Sequence, residues 1–317
     1  MTVRPIGATA GGVPLGRTVA PSRWSAFWRR NGTGYAFLTP WMLGFFLLTI
    51  GPALVSLYLS FTNFNLLQAP TWIGDANYVR IFTQDPKFQQ AMRVTFFYAI
   101  FSVPLKLVFA LAVAMVLNRG LSGLPLYRAI FYLPSLLGSS VAIAVLWRQL
   151  FAGNGLMNHV LALFGITGPS WISNPRYALW TLVILSIWQF GSPMIIFLAG
   201  LRQIPRDLYE AAAIDGAGRG RQFWSITLPL LTPVVFFNAI VQAIDALKSF
   251  TPAFIISSGT GNPINSTLFY TLYLYQEAFG YFRMGNASAL AWILLVIIAV
   301  FTGVSFLTSR YWVHYDD

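Results

Sequence analysis

Six runs of predominantly apolar residues, each more than twenty residues long, dominate this chain: roughly Phe37 to Phe61, Val94 to Leu117, Ile130 to Leu150, Tyr177 to Gly200, Leu230 to Phe250 and Ala287 to Thr308. About 20 such residues cross a hydrocarbon core as a helix. In lipid, backbone N–H and C=O groups must be satisfied internally, which leaves helices or closed barrels. The runs are continuous in Leu, Ile, Val, Phe and Ala rather than alternating apolar with polar, so a barrel is excluded. Composition agrees: 56% of the 317 residues are hydrophobic and 9% charged, where a soluble domain carries roughly a quarter charged. The expected fold is all-α, a polytopic membrane bundle of about six transmembrane helices.

The chain has no cysteine, so disulfides and thiolate metal sites are excluded, and His159 and His314 are too few for a histidine metal cluster. Residues 1–34 are read as a tail, rich in Gly, Pro, Thr and Ala over Met1 to Pro21 and lacking the apolar core of a cleavable signal peptide. Residues 35–317 are read as one membrane domain without a repeat. The net charge of +11 is a matter of orientation rather than of nucleic acid, because Lys and Arg collect on the cytoplasmic side of membrane proteins. With the N-terminus inside, twelve of the 20 Lys and Arg residues fall in inner segments and six in outer ones, leaving Lys106 and Arg148 within spans. Both termini are then cytoplasmic, and so is the polar loop 201–229 between the fourth and fifth spans.

That loop reads "LRQIPRDLYEAAAIDGAGRGRQFWSITLP". Pro205 suits the first turn of a short helix and Asp207 its positive end. The run DLYEAAAID contains good helix formers, and Gly216 suits a left-handed C-terminal position. Phe223, Trp224, Ile226 and Leu228 then offer an interfacial surface leading into the fifth span. Ala211, Ala212 and Ala213 permit close approach of another backbone, and Glu210 and Asp215 offer carboxylates. Two readings stand on these grounds: a docking knob, or a helix-turn-helix that merely joins two spans.

Glu210, Ala211, Ala212, Gly216, Ile226, Leu228 and Pro229 together form EAA, three residues, Gly, nine residues, I-x-L-P. The pattern resembles the EAA loop of permease subunits of binding-protein-dependent ABC importers, in particular the carbohydrate branch of maltose and glycerol-phosphate permeases. The resemblance runs from about Leu38 to Ser309 and includes "WIGDANYVRIFTQDPKF", "YRAIFYLPS" and "LWRQLFAGNGLMNHVL". One departure is "GTGNPINST", where many relatives have GGP before Asn-Ser-Thr. The resemblance implies a type I importer fold in a bacterial cytoplasmic membrane. It also implies a coupling helix at Glu210 to Gly216 seated in an ATPase cleft, a second homologous permease, two ATPase subunits and an extracytoplasmic solute-binding protein. A P-loop requires GxxxxGK[ST], and none of the three lysines, Lys87, Lys106 and Lys248, follows a glycine-rich turn. ATP and Mg therefore belong to the partner ATPase, and this chain is expected to bind no cofactor and to be no enzyme.

Ionisable residues within a bilayer are costly and face a cavity or a partner. Lys106 and Asp245 are therefore candidates for the substrate pathway, while Arg148 can snorkel. Asn238, Gln242, Asp245 and Ser249 fall four, three and four apart, along one helical face. Asp245 and Lys248, three apart, read equally as a local ion pair or as substrate contacts. Trp188, Gln189 and Ser192 adjoin Gly191 and Pro193, which can break the helix and free carbonyls for a ligand. Hydrogen bonding between helices is an equal alternative for these polar residues. Gly138, Ser139 and Ser140 read as close-packing residues. "QFGSPMIIFLAGLRQIP", "FTPAFIIS" and "STLFYTLYLYQEAFG" resemble the subgroup importing uronic-acid oligosaccharides such as alginate or rhamnogalacturonan fragments, for which Lys106 and Lys248 would compensate charge. The rival class is an ion-coupled secondary transporter using Asp245 and Lys106. A membrane enzyme lacks a visible constellation of nucleophile, base or metal.

Overall fold

The computed structural model describes residues 23–120, 123–138 and 140–313, with side-chain surroundings from residue 33 onward. The tail Met1 to Pro21, Ser139 and His314 lie outside the described residues. The chain divides into two compact units, 1–55 and 56–317.

The first unit carries α1 (Arg23–Phe45), a π-helical turn Phe46–Ile50, and the start of α2 (Gly51–Ser60). Thr33–Ser60 is long and apolar enough to cross a membrane, and none of its most hydrophobic window is buried. Phe37 and Leu48 are about four-fifths exposed. Such a surface is stable only against hydrocarbon or another protein.

In the second unit, β1 (Thr62–Asn63) pairs antiparallel with β2 (Thr71–Trp72), placing Thr62 opposite Trp72. Asn77, on α3 (Ala76–Gln84), locks this ribbon by donating to the carbonyls of Ser60 and Thr62 at 2.8 and 2.9 Å. The second span is α4 (Pro86–Leu117). Asp85 caps it by accepting from the N–H groups of Lys87 and Phe88, while Pro86 occupies the first turn, where a missing N–H costs nothing. At 32 residues α4 is about 48 Å long, well beyond the roughly 30 Å hydrocarbon core.

Two spans are broken. α5 (Leu124–Leu137) and α6 (Val141–Leu150) meet at a bend of more than 40°, and α8 (Pro175–Trp188) and α9 (Gly191–Gln203) at 42°. The short α7 (Leu156–Leu163) lies between them. After the loop helices α10 (Arg206–Ile214) and α11 (Arg219–Gln222) and a π turn Phe223–Thr227, the fifth span is α12 (Leu228–Leu247), followed by α13 (Thr251–Ile256) and α14 (Tyr270–Tyr275). The last span is α15 (Met284–Ser309). Among the described residues four helices are long and apolar enough to cross a membrane alone, and up to six spans result when each bent pair is counted as one, which matches the sequence count.

Two apolar clusters hold the unit. Toward the C-terminal end of α4, Ala110 and Ala114 are fully buried and admit α9 closely, which brings Met194, Phe197 and Leu198 against Leu231 of α12. Small residues four apart allow such packing without bulky side chains between the backbones. Toward the N-terminal end of α4, Tyr270 and Tyr273 of α14 pack with Leu182, Phe269 and Leu290. Tyr270 donates its hydroxyl to the Leu290 carbonyl at 2.7 Å, and Tyr273 donates to Asp85.

Beside them Glu277 is 3% exposed, accepts from the Asn286 amide at 2.8 Å and pairs with Arg283 at 3.6 Å. Removing the neutral donor strands part of a buried carboxylate. Asn286→Leu is therefore expected to cost about 1–3 kcal/mol, measured as a lower midpoint of thermal unfolding in detergent, and an unchanged midpoint would show that water or Arg283 replaces the amide.

The bend of the third span falls where close packing was expected. Gly138 does abut a neighbour, since a Cβ there would lie 2.2 Å from the Gln189 side chain. Ser140, however, starts a new helix by accepting from the Ile143 N–H at 3.3 Å.

Candidate functional site

The loop between the fourth and fifth spans folds as α10. Ile204, held extended at ψ 122° by the following proline, ends α9. Pro205 (φ −59°, ψ 136°) stands one position before the helix rather than inside its first turn, and Asp207 sits in that turn. At the far end Gly216 adopts φ +75°. The N–H of Gly216 donates to the Ala213 carbonyl at 3.1 Å and that of Ala217 to Ala212 at 2.8 Å, the paired bonds of a Schellman stop.

Glu210, Ala211, Ala213, Asp215 and Gly216 are all exposed, and Ala212 is half-buried. Ile214, at the tip, is 87% exposed and Leu208 is exposed too. The sequence reading did not single out these two apolar side chains. Their signal was an isoleucine directly before the Asp-Gly stop, where a solvated helix end ordinarily ends in polar residues.

The opposite side of α10 is fastened. The Tyr209 hydroxyl hydrogen-bonds the Thr227 hydroxyl at 2.9 Å, and the Gln222 amide donates to the carbonyls of Tyr209 and Ala217 at 3.4 and 3.1 Å. Tyr209 also packs into the cluster around Leu201 and Leu231. The helix is thus joined by side chains to the π turn that begins the fifth span. The interfacial segment is present as read, with Phe223 edge-on to Trp224 at 5.3 Å and Trp224 exposed.

A cavity of about 390 Å3 lies between α4, α8 and α12. It gathers Lys106, Gln189, Gln242, Asp245, Lys248 and Ser249, six of the residues read from sequence for a pathway or its polar stripe, and adds Tyr98, Ser186 and Thr251. Tyr98 was legible from its spacing of four and eight with Ser102 and Lys106 on one helix, and Ser186 from its spacing of three with Gln189. Apolar Leu182, Leu185 and Phe250 complete the wall. Asp245 and Lys248 stand 4.0 Å apart with more than half of each side chain exposed, so the local pair exists at the cavity edge and both groups remain open to a ligand.

Three other sequence candidates do not line the cavity. Trp188 lies against Trp147 with ring centroids 6.0 Å apart. Asn238 is 1% exposed, and its amide nitrogen has no partner among the described residues. Ser192 donates its N–H to the Ser135 hydroxyl at 3.0 Å, and that hydroxyl donates to the Gln189 carbonyl at 2.9 Å. The carbonyl freed by the break in the fourth span is therefore taken by the third span rather than offered to a ligand. The Gln189 amide also donates to the Gly138 carbonyl at 3.1 Å, so the two breaks are tied together. Gly191 makes this possible, because a Cβ there would lie 2.5 Å from the Phe131 carbonyl oxygen and 2.7 Å from Tyr132 Cα. Backbone cannot yield as a flexible side chain can. Gly191→Ala is expected to cost about 1–3 kcal/mol, seen as a lower thermal midpoint with wild-type membrane insertion, and an unaltered midpoint would show that the two bends are free to separate.

Among the described residues no group of three or more His, Cys, Asp or Glu could hold a metal.

Comparison with known proteins agrees with this geometry. Residues 93–313 match the family described as binding-protein-dependent transport system inner membrane component. A probable ABC transporter permease protein, YesP of Bacillus subtilis (strain 168), is 52% identical over 90% of this chain and 93% of its own. The lactose transport system permease protein LacF of Rhizobium radiobacter is 32% identical, covering 87% of this chain and 94% of its own. Among solved structures, a bacterial alginate ABC transporter in complex with alginate pentasaccharide-bound periplasmic protein has a chain that superposes with a TM-score of 0.77 at 22% identity, over 90% of this chain and 96% of that one, which shows the fold. With an exposed loop helix fastened to its fifth span, a polar cavity between that span and two others, and matches of this extent, the chain belongs to the inner-membrane permease components of binding-protein-dependent ABC transport systems.

Proposed function

We propose that this chain is the transmembrane subunit of an ATP-driven importer that carries a carbohydrate from an extracytoplasmic solute-binding protein into the cytoplasm. The observation that carries the proposal is α10, whose exposed Glu210 to Gly216 side is free to dock while its other side is bonded to the start of α12. A partner that moves α10 moves the fifth span with it, and the fifth span lines the cavity. Alternating access then needs only that an ATPase bind two arrangements of the loop with different affinity.

ATP and Mg are held by two separate ATPase subunits, since no P-loop exists in this sequence. A second, homologous permease completes the pathway, and both termini are cytoplasmic by the distribution of Lys and Arg. Carbohydrate as cargo is supported by the named relative for lactose and the structural neighbour for alginate, and by a cavity of amides, hydroxyls and an aromatic ring, groups that suit sugar hydroxyls and faces. An acidic, uronic-acid oligosaccharide is the finer assignment: Lys106 and Lys248 exceed Asp245 by one positive charge in that cavity.

The test is reconstitution of the chain with a second permease, ATPase subunits and binding protein in proteoliposomes. Uptake is expected only with internal ATP and external loaded binding protein. The presence of Lys106 and Asp245 in one cavity favours a second reading, ion-coupled secondary transport. Uptake by this chain without any ATPase, collapsing with the ion gradient, would establish that reading and overturn the first.

A further inference from the structure

We propose that the outer ends of α4 and α8 form a binding site for the headgroup of an anionic phospholipid, with an acyl chain laid along the aromatic face beneath it. The site is a cavity of about 300 Å3, separate from the polar cavity of the pathway, lined by Arg93, Arg176, Gln90, Ser266, Phe97 and Trp180 among others.

Two exposed stripes meet there. On α4, Arg93 is followed at spacings of four by Phe97 and Phe101, and on α8 Arg176 is followed by Trp180 and Ile184, every one of them exposed. Each stripe therefore begins with a guanidinium and continues as hydrocarbon, the order that a phospholipid presents from headgroup to tail. The aromatic floor is continuous: Phe97 meets Trp180 edge-on at 5.6 Å, Phe101 meets it at 5.3 Å, and Phe97 meets Phe101 at 4.5 Å.

Depth agrees with this. The continuous apolar run of α4 begins at Val94, directly after Arg93, which places that guanidinium at the edge of the hydrocarbon, where headgroups lie. Neither Arg93 nor Arg176 has a carboxylate partner among the described residues, where the ion pairs are Asp245 with Lys248 and Glu277 with Arg283. Ser266 lines the cavity too, and its buried hydroxyl has no hydrogen-bond partner among the described residues. Two unpaired guanidiniums and one unpaired hydroxyl fit a phosphodiester, which accepts on two oxygens, and Arg is suited to bidentate contact with phosphate. An inorganic anion would gain nothing from the exposed aromatic floor, and a lipid chain does.

The full-length chain, purified in mild detergent and titrated with phosphatidylglycerol or phosphatidylcholine, provides the test by native mass spectrometry. The wild type is expected to retain phosphatidylglycerol in preference. Arg93→Gln with Arg176→Gln should weaken that retention about tenfold or more, and Arg93→Lys with Arg176→Lys, which keeps the charge but not the bidentate fork, should restore part of it and exclude misfolding. Equal retention by wild type and the Gln pair, or equal retention of the two lipids, would overturn the proposal. So would displacement of the lipid by millimolar inorganic phosphate or galacturonate, which would identify a soluble anion instead. The chain has no cysteine, so F97C in the assembled transporter is a clean reporter. Its cross-linking to the second permease would show a protein interface in place of lipid.

Discussion

Glu210→Lys is expected to abolish ATP-driven uptake, and stimulation of the ATPase by loaded binding protein, while leaving the amount of inserted protein unchanged. Glu210 is exposed and makes no ion pair among the described residues. Its replacement therefore costs the isolated fold little, within about 0.5 kcal/mol for such a surface change. At a docked interface the same change reverses a charge against whatever group receives it, and breaking a buried charged contact costs about 2–5 kcal/mol, a loss of some 30-fold to several thousand-fold in affinity.

Gly216→Pro is expected to give the same phenotype by a different route. At φ +75° the residue lies outside what a proline ring permits, and the N–H bonded to Ala213 disappears. The Schellman stop is lost and α10 loses its defined end, at roughly 3 kcal/mol of local stability, but the apolar runs that direct insertion are untouched. Membrane-fraction abundance, uptake and ATPase rates distinguish these effects. Full uptake by both variants would strip the loop of its role.

The second large effect is expected at Lys106. Lys106→Met should lower uptake of a uronate oligosaccharide about 10- to 100-fold, the equivalent of losing one charged hydrogen bond of about 1.5–3 kcal/mol, and should leave uptake of a neutral oligosaccharide within about twofold. Asp245→Asn should act in the opposite sense, because it removes the one carboxylate in the cavity and leaves Lys106 and Lys248 unopposed. Competition between charged and neutral oligosaccharides in proteoliposomes reads both variants. If Lys106→Met lowers both substrates equally, the ammonium organises the helices rather than the cargo.

Much of this was legible before any coordinates. Each expected span reappears as a helix or as a bent pair. Gly216 takes the left-handed conformation that its place after an Ala-rich helix demanded. These features depend on the transfer of about twenty side chains to lipid, or on the backbone preferences of four or five consecutive residues. The break at Gly191 was also signalled, by glycine and proline within three positions. The break at Gly138 was not, because a glycine followed by two serines is equally suited to tight packing and to a new helix start.

The polar face of the fifth span shows where such inference ends. Asn238, Gln242, Asp245 and Ser249 share a helical face by spacing, yet the last three line the cavity and Asn238 is enclosed elsewhere. Spacing fixes which residues share a face, but the rotation and tilt of one helix against another decide how far along that face a cavity extends. The carbonyl freed at Gln189 was likewise sound as a local inference, and its capture by Ser135 depends on a helix 54 positions away in sequence.

From sequence alone came the membrane, the number of crossings, the loop helix with its stop and the lack of a P-loop motif, since each follows from solvent transfer or from neighbours along the chain. Only the tertiary structure brought Lys106, Gln189 and Asp245 from three spans to one cavity, turned Trp188 and Ser192 to other helices, and set Arg93 beside Arg176. Those outcomes are decided by how small and large side chains interlock between helices, which no local rule along one helix contains.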